Sequence, residues 1–173
     1  MRANIAIVII SSFLLNSNFS FSQSKFLINN EPFELPGKWE TKGLLKESGQ
    51  YHLYNKKKKL NLLISVRNSK NFEFYNDTLT SSQLVEKWYK WETDHWAGQD
   101  VEIKEIKHNV ADNYIMWRLT LNKFSDYNQS LVSTILYFIR NQKLIGVSLN
   151  DSSEKNHMTD IEIMVVLETL YKQ

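Results

Sequence analysis

The sequence predicts an α+β fold: an antiparallel sheet of five to seven strands with helices packed on it, as an α/β/α sandwich. Three observations carry that expectation. Several segments alternate apolar and polar residues with the period of a half-buried strand. Two segments open with the grammar of a helix start, Thr80 with Gln83 and Thr159 with Glu162. Each pair is a capping box, in which the N-cap hydroxyl and the N3 side chain satisfy each other's unbonded amides. Finally, residues 131–140 (LVSTILYFIR) are apolar on both faces, as a strand covered on both sides should be. A sheet with such a strand near its middle wants helices against both faces; both helices on one face is the alternative.

In chain order, Arg2 precedes a short apolar run at 5–15, followed by small polar residues. A positive start, a short apolar stretch and Ser20 and Ser22 at the −3 and −1 positions describe a secretory signal peptide cleaved before Gln23. The run is short for a membrane span; an uncleaved anchor is the alternative. The chain is thus expected to be exported, to the periplasm or beyond, with residues 23–173 as one domain. There is no cysteine, which excludes disulfides, thiol nucleophiles, cysteine-based zinc sites and a lipid-modified cysteine. The net charge is only +2 before Arg2 leaves, so nothing general draws the chain to nucleic acid or to an anionic membrane.

Residues 24–30 read as a short strand or tail. Pro36-Gly37 is a turn signal between Leu35 and Trp39, two candidate core anchors. Gln50–Asn55 and the alternating run 60–66 read as an antiparallel pair joined by four lysines at 56–59. That lysine run is best read as a solvated loop that resists aggregation. The segment 67–78 leads into the first helix, 80–96, where Leu79 and Leu84 add a hydrophobic staple and Gly98 a left-handed stop. Leu84, Val85, Trp88, Tyr89, Trp91 and Trp96 share one broad face of it. Residues 101–108 read as a strand whose alternation Ile106 breaks, the mark of either a bulge or the end of pairing. Ile115, Trp117, Leu119 and Leu121 point one way along 114–122. With 131–140, the Asn141-Gln142 turn and 143–150, this makes a meander. The closing helix carries Ile161, Met164, Val165, Leu167 and Leu170, with Met158 and Ile163 as its staple.

This order of elements, opened by the F-x-L-P-x-x-W segment at 33–39, resembles the PsbP-like superfamily. The likeness covers nearly the whole mature chain. It implies an α/β/α sandwich that works through protein contacts, with no shared catalytic residues and no functional position to carry over.

Motifs for catalysis are missing: no H-E-x-x-H, G-x-S-x-G, P-loop or G-x-G-x-x-G occurs. His52, His95, His108 and His157 are scattered without metal-ligand spacing. No metal, cofactor or nucleic acid is therefore expected, and the protein is read as a non-catalytic binding module. Phe74 and Tyr75, and Phe124 and Tyr127 in the loop 123–130, are aromatics among polar residues, a texture that suits a protein interface. On that reading the chain binds another protein, for instance as an inhibitor or immunity protein. The alternative is a small-ligand carrier with a pocket between the Trp-rich helix and the sheet. Its site would comprise Trp88, Trp91, Glu92 and His95. A third reading makes Glu92 and His95, three apart on the helix, a proton-transfer pair.

Overall fold

The computed structural model describes residues 23–109, 113–124, 129–151 and 159–173. In chain order these form β1 (Gln23–Ile28), β2 (Glu31–Pro36), β3 (Glu40–Leu45), β4 (Gln50–Asn55) and β5 (Leu60–Asn68). After a 3-10 turn at Ser69–Asn71 come α1 (Ser81–Trp96), β6 (Val101–Asn109) and β7 (Tyr114–Phe124). The chain closes with β8 (Gln129–Arg140), β9 (Lys143–Asp151) and α2 (Asp160–Tyr171). Strands β3 to β9 build a seven-stranded antiparallel sheet in the order β3-β4-β5-β9-β8-β7-β6, while β1 and β2 pair as a separate ribbon. Both capping boxes are formed.

Side-chain alternation sorts the two faces of the sheet. On β8, Leu136 and Phe138 enter the core beneath α2, whereas Ile135 and Tyr137 enter the core beneath α1. Strand β7 is covered on both sides too, with Tyr114 and Met116 on the α2 side and Ile115, Trp117 and Leu119 on the other. The α2 layer also holds the ribbon, through Phe33 and Leu35. The result is an α/β/α sandwich. Ile106 falls where the β6–β7 register shifts, between Glu105 and Lys107.

Three details differ from the sequence reading. Strand β3 was not expected, because ETKGLL shows no alternation; it is an almost wholly exposed edge strand. Residues 23–36 form a ribbon, closed by Asn29 and Asn30 at φ 48° and 63°. Two consecutive positive φ values are the hairpin turn that asparagine tolerates best, and Asn141 and Gln142 repeat it between β8 and β9 at φ 51° and 60°. In α2 the inward residues are Ile163, Val166, Leu167 and Leu170. Ile161 and Val165 instead lie 74% and 57% exposed. They sit on a row roughly 160° round the helix from Ile163, at ~100° per residue. Met158 is outside the described residues.

The two hairpin turns are clamped together by one buried carboxylate. Glu31 is 2% exposed, and Lys143 Nζ reaches it at 2.8 Å. Asn141 Nδ2 donates to it at 3.2 Å, and Arg140 Nε lies 3.5 Å away as a charge contact rather than a hydrogen bond. The same cations hold the ribbon's backbone: Arg140 Nη2 donates to Pro32 O at 3.1 Å and Lys143 Nζ to Asn29 O at 3.0 Å. The Arg140 guanidinium also lies over the Phe33 ring, 4.9 Å from its centroid. Removing one member of a buried ion cluster leaves the others without compensation. Glu31→Ala should therefore cost about 3 kcal/mol, near the low end for such sites because Lys143 keeps some solvent contact. A urea midpoint unchanged within error would refute the clamp.

Candidate functional site

Helix α1 presents its i, i+4 row to the sheet. Leu84 and Trp88 on that row are buried, and Glu92 and Trp96 follow half-buried. Trp88 is seated by three groups. Its ring stacks on Tyr137, with centroids 4.2 Å apart and planes 9° from parallel. Beneath it is Gly146, where a methyl group would stand 3.0 Å from Trp88 Cη2, 2.7 Å from Ser65 Oγ and 3.2 Å from Tyr137 Cε1. Phe72, from the segment before the helix, closes the other flank at 5.5 Å.

Beyond Trp88 a cavity of about 260 Å³ opens between α1 and the sheet. Trp88, Glu92 and Trp96 line it from the helix, and Leu119, Leu121, Leu131, Ile135 and Tyr137 line it from β7 and β8. The remaining floor is polar, with Ser65 from β5, Ser133 from the start of β8, and Ser148 and Asn150 from β9, and Gln50 and Arg67 complete the lining. Ser133, Ser148 and Asn150 form a closed triangle: the two hydroxyls are 2.6 Å apart, and each is 2.7 Å from Asn150 Oδ1. The cavity exists because α1 covers β7 and β8 but leaves the polar residues of β5 and β9 without a helix over them. It lies slightly below the ~300–1,000 Å³ usual for small-molecule sites.

Burial raises the Glu92 carboxyl above its ordinary value; the Trp88 N–H, then the Arg67 and His95 charges and the Tyr137 hydroxyl, oppose that shift. The Trp88 N–H favours the carboxylate by proximity but makes no hydrogen bond of normal geometry, and it is buried. The Tyr137 hydroxyl is pushed far up by its own burial and by Glu92.

Of the four pocket residues expected from the sequence, Trp88 and Glu92 line the cavity; Trp91 and His95 do not. Those two belong to the neighbouring row with Lys87, and all three are exposed. The Trp91 N–H donates to Glu73 at 3.0 Å, and His95 packs edge-on to Trp96. No ion pair or hydrogen bond joins Glu92 to His95, so the proton-transfer pair is not assembled. Sequence periodicity averaged over one broad face, whereas a helix on a sheet makes contact along a single row. Arg67, Tyr137, Ser133, Ser148 and Asn150 went unnoticed as site residues. The hydroxyl and amide side chains on one face of 131–150 were the available signal.

Of the expected interface aromatics, Phe74 folds back onto Phe72 at 5.1 Å and packs against the α1 core. Tyr75 is half-buried, its hydroxyl donating to Asp77 at 2.7 Å. Phe124 is placed by its backbone, opposite Gln129, and Tyr127 lies outside the described residues. Among the described residues no group of three or more His, Asp or Glu side chains could hold a metal ion. No helix there is long and apolar enough to cross a membrane.

The chain matches no protein-family model, and no curated protein resembles it closely enough to count as a relative. Solved structures resemble it in fold. The Saccharomyces cerevisiae Ran-binding protein Mog1p aligns over 88% of this chain and 90% of its own, at 10% identity and a TM-score of 0.49. The cyanobacterial PsbP of Synechocystis aligns over 88% and 91%, at 14% identity and a TM-score of 0.46. At such identities the likeness is one of architecture alone.

Two outcomes follow from this geometry. Gly146→Ala should cost about 1–3 kcal/mol through overpacking and alter the near-ultraviolet circular dichroism of the Trp88–Tyr137 stack. An unchanged spectrum would mean that Trp88 is not seated there. Glu92 has a raised folded pKa, so its ionisation costs stability as pH climbs from the ordinary 4.5 through that raised value. Glu92→Gln should thus be more stable than the parent at pH 7, with the difference vanishing below pH ~4. An equal difference at both pH values would contradict the burial of the carboxylate.

Proposed function

We propose that the protein is an exported, non-catalytic binding protein that holds a small ligand between α1 and the sheet. One observation carries this reading: the cavity has aromatic and aliphatic walls on one side and a few convergent polar groups on the other, the usual texture of a ligand site. Its stacked Trp88 and Tyr137 are already packed, so a ligand meets rigid walls and little ordering cost attends binding. Export rests on the leader-like residues 1–22. The absence of catalysis rests on the missing motifs and on the separation of Glu92 from His95.

A second reading, binding of another protein as an inhibitor or immunity protein does, draws on Trp91. That indole is 40% exposed beside the turn that carries Phe74 and Tyr75, and partly exposed tryptophans are enriched at interfaces.

Calorimetric titration of a small-molecule library into the parent and into Leu121→Phe separates the two. Leu121 lines the cavity from a half-buried position, so the larger ring fills space without recutting the core. Saturable binding by the parent, weakened at least tenfold in the variant, is expected. A library silent with both proteins, together with a protein partner lost on Trp91→Ala, would replace the first reading by the second.

A further inference from the structure

We propose that the cavity's ligand is a zwitterion, a free α-amino acid with an apolar side chain of about leucine to phenylalanine size. The inference rests on reading the cavity as a ligand site and names what that site takes.

The cavity's polar groups fall into two sets. The inner set is engaged with itself: Ser133 Oγ, Ser148 Oγ and Asn150 Oδ1 lie within hydrogen-bond distance of one another, two hydroxyl protons serving three contacts, and Ser65 Oγ donates to Gly146 O at 3.4 Å. The outer set is not. Glu92 has no ion-pair partner within 4.0 Å, although it is half-buried; the Tyr137 hydroxyl hydrogen-bonds its carboxylate and the Trp88 N–H lies close to it, so its charge is solvated but not neutralised. The Trp88 N–H is buried without an acceptor. Arg67 spends one nitrogen on Ser48 O at 2.8 Å, and its planar fork keeps further N–H groups for a carboxylate. Arg67 and Glu92 line the same cavity, yet no ion pair within 4.0 Å joins them. Two opposite charges therefore stand apart at one site.

That arrangement discriminates by charge. A plain amine would meet Glu92 but face the Arg67 cation; a plain carboxylic acid would meet Arg67 but face the Glu92 anion. A neutral ligand would dehydrate both charges with nothing in return, which is costly. A ligand with an ammonium and a carboxylate on one carbon answers both at once. Its ammonium goes to Glu92 and its carboxylate to the Arg67 guanidinium. The side chain then points toward Leu119, Leu121, Leu131 and Ile135. Size agrees, because 260 Å³ holds roughly nine waters at ~30 Å³ each, the space of a ligand of about ten heavy atoms.

The test is calorimetric titration with L-leucine and L-phenylalanine, their methyl esters, their N-acetyl forms, the matching amines and acids, and neutral indole. Free amino acids are expected to bind at least tenfold tighter than every derivative that lacks one charge. Glu92→Gln should erase the preference over the N-acetyl form, and Arg67→Gln the preference over the ester, with folding checked by circular dichroism. Esters, N-acetyl forms or indole binding as tightly as the zwitterion would overturn the ligand class while leaving the cavity a binding site. If nothing in the panel binds, the class is overturned; if the library titration with Leu121→Phe is silent too, the ligand reading falls with it.

Discussion

The seating of Trp88 on Gly146 and Tyr137 is the constraint from which the α1 half of the molecule follows. A flat indole can lie against a sheet only where the strand beneath offers no side chain, and position 146 supplies that gap. The stack with Tyr137 then fixes the rotation of the helix about its axis. Once that rotation is set, Leu84, Glu92 and Trp96 are committed to the same row, and Trp91 and His95 are turned away. The cavity is a by-product of this commitment. A helix held over β7 and β8 cannot also cover β5 and β9, so the polar side chains there face open space.

The other face of the sheet uses a different strategy. Helix α2 is short, and its inward row is aliphatic. The ribbon β1–β2 fills what α2 leaves uncovered, contributing Phe33 and Leu35. Carboxylates on α2 meet cations from three separate strands or turns: Asp160 with Arg118, Glu162 with Lys58 and Glu168 with Lys107. These contacts keep solvent access and so contribute little apiece; they orient the helix more than they stabilise it. The apolar row does the stabilising.

Much of this was legible in the residues. Both helix starts were readable because a capping box is a local device, complete within four residues. The doubly buried β8 was readable because burial on both faces abolishes alternation, and the bulge at Ile106 because it breaks it. Strand β3 was not, since an exposed edge strand needs no apolar pattern. The amino-terminal turn could have been found in Asn29-Asn30, whose two side chains tolerate the left-handed backbone. The site was half legible. Trp88 and Glu92 are near neighbours on one helix, but Arg67, Ser133 and Asn150 reach them only through strand order, and one-dimensional periodicity carries no strand order.

The Glu31 clamp has a consequence for the timing of folding. The ribbon leaves the ribosome, or any translocation channel, before the rest of the domain. Its anchoring contacts wait for Arg140, 108 residues beyond Pro32, and for Lys143, 114 beyond Asn29. Until both cations arrive the ribbon is held by its own pairing and by lighter contacts such as Asn29 Nδ2 to Val66 O at 3.1 Å, and a lone two-stranded hairpin is marginal in water. Closing so long a loop carries an entropy cost that must be met before any contact rewards it. The ribbon, although it precedes the sheet in the chain, is thus among the last elements of the domain to settle.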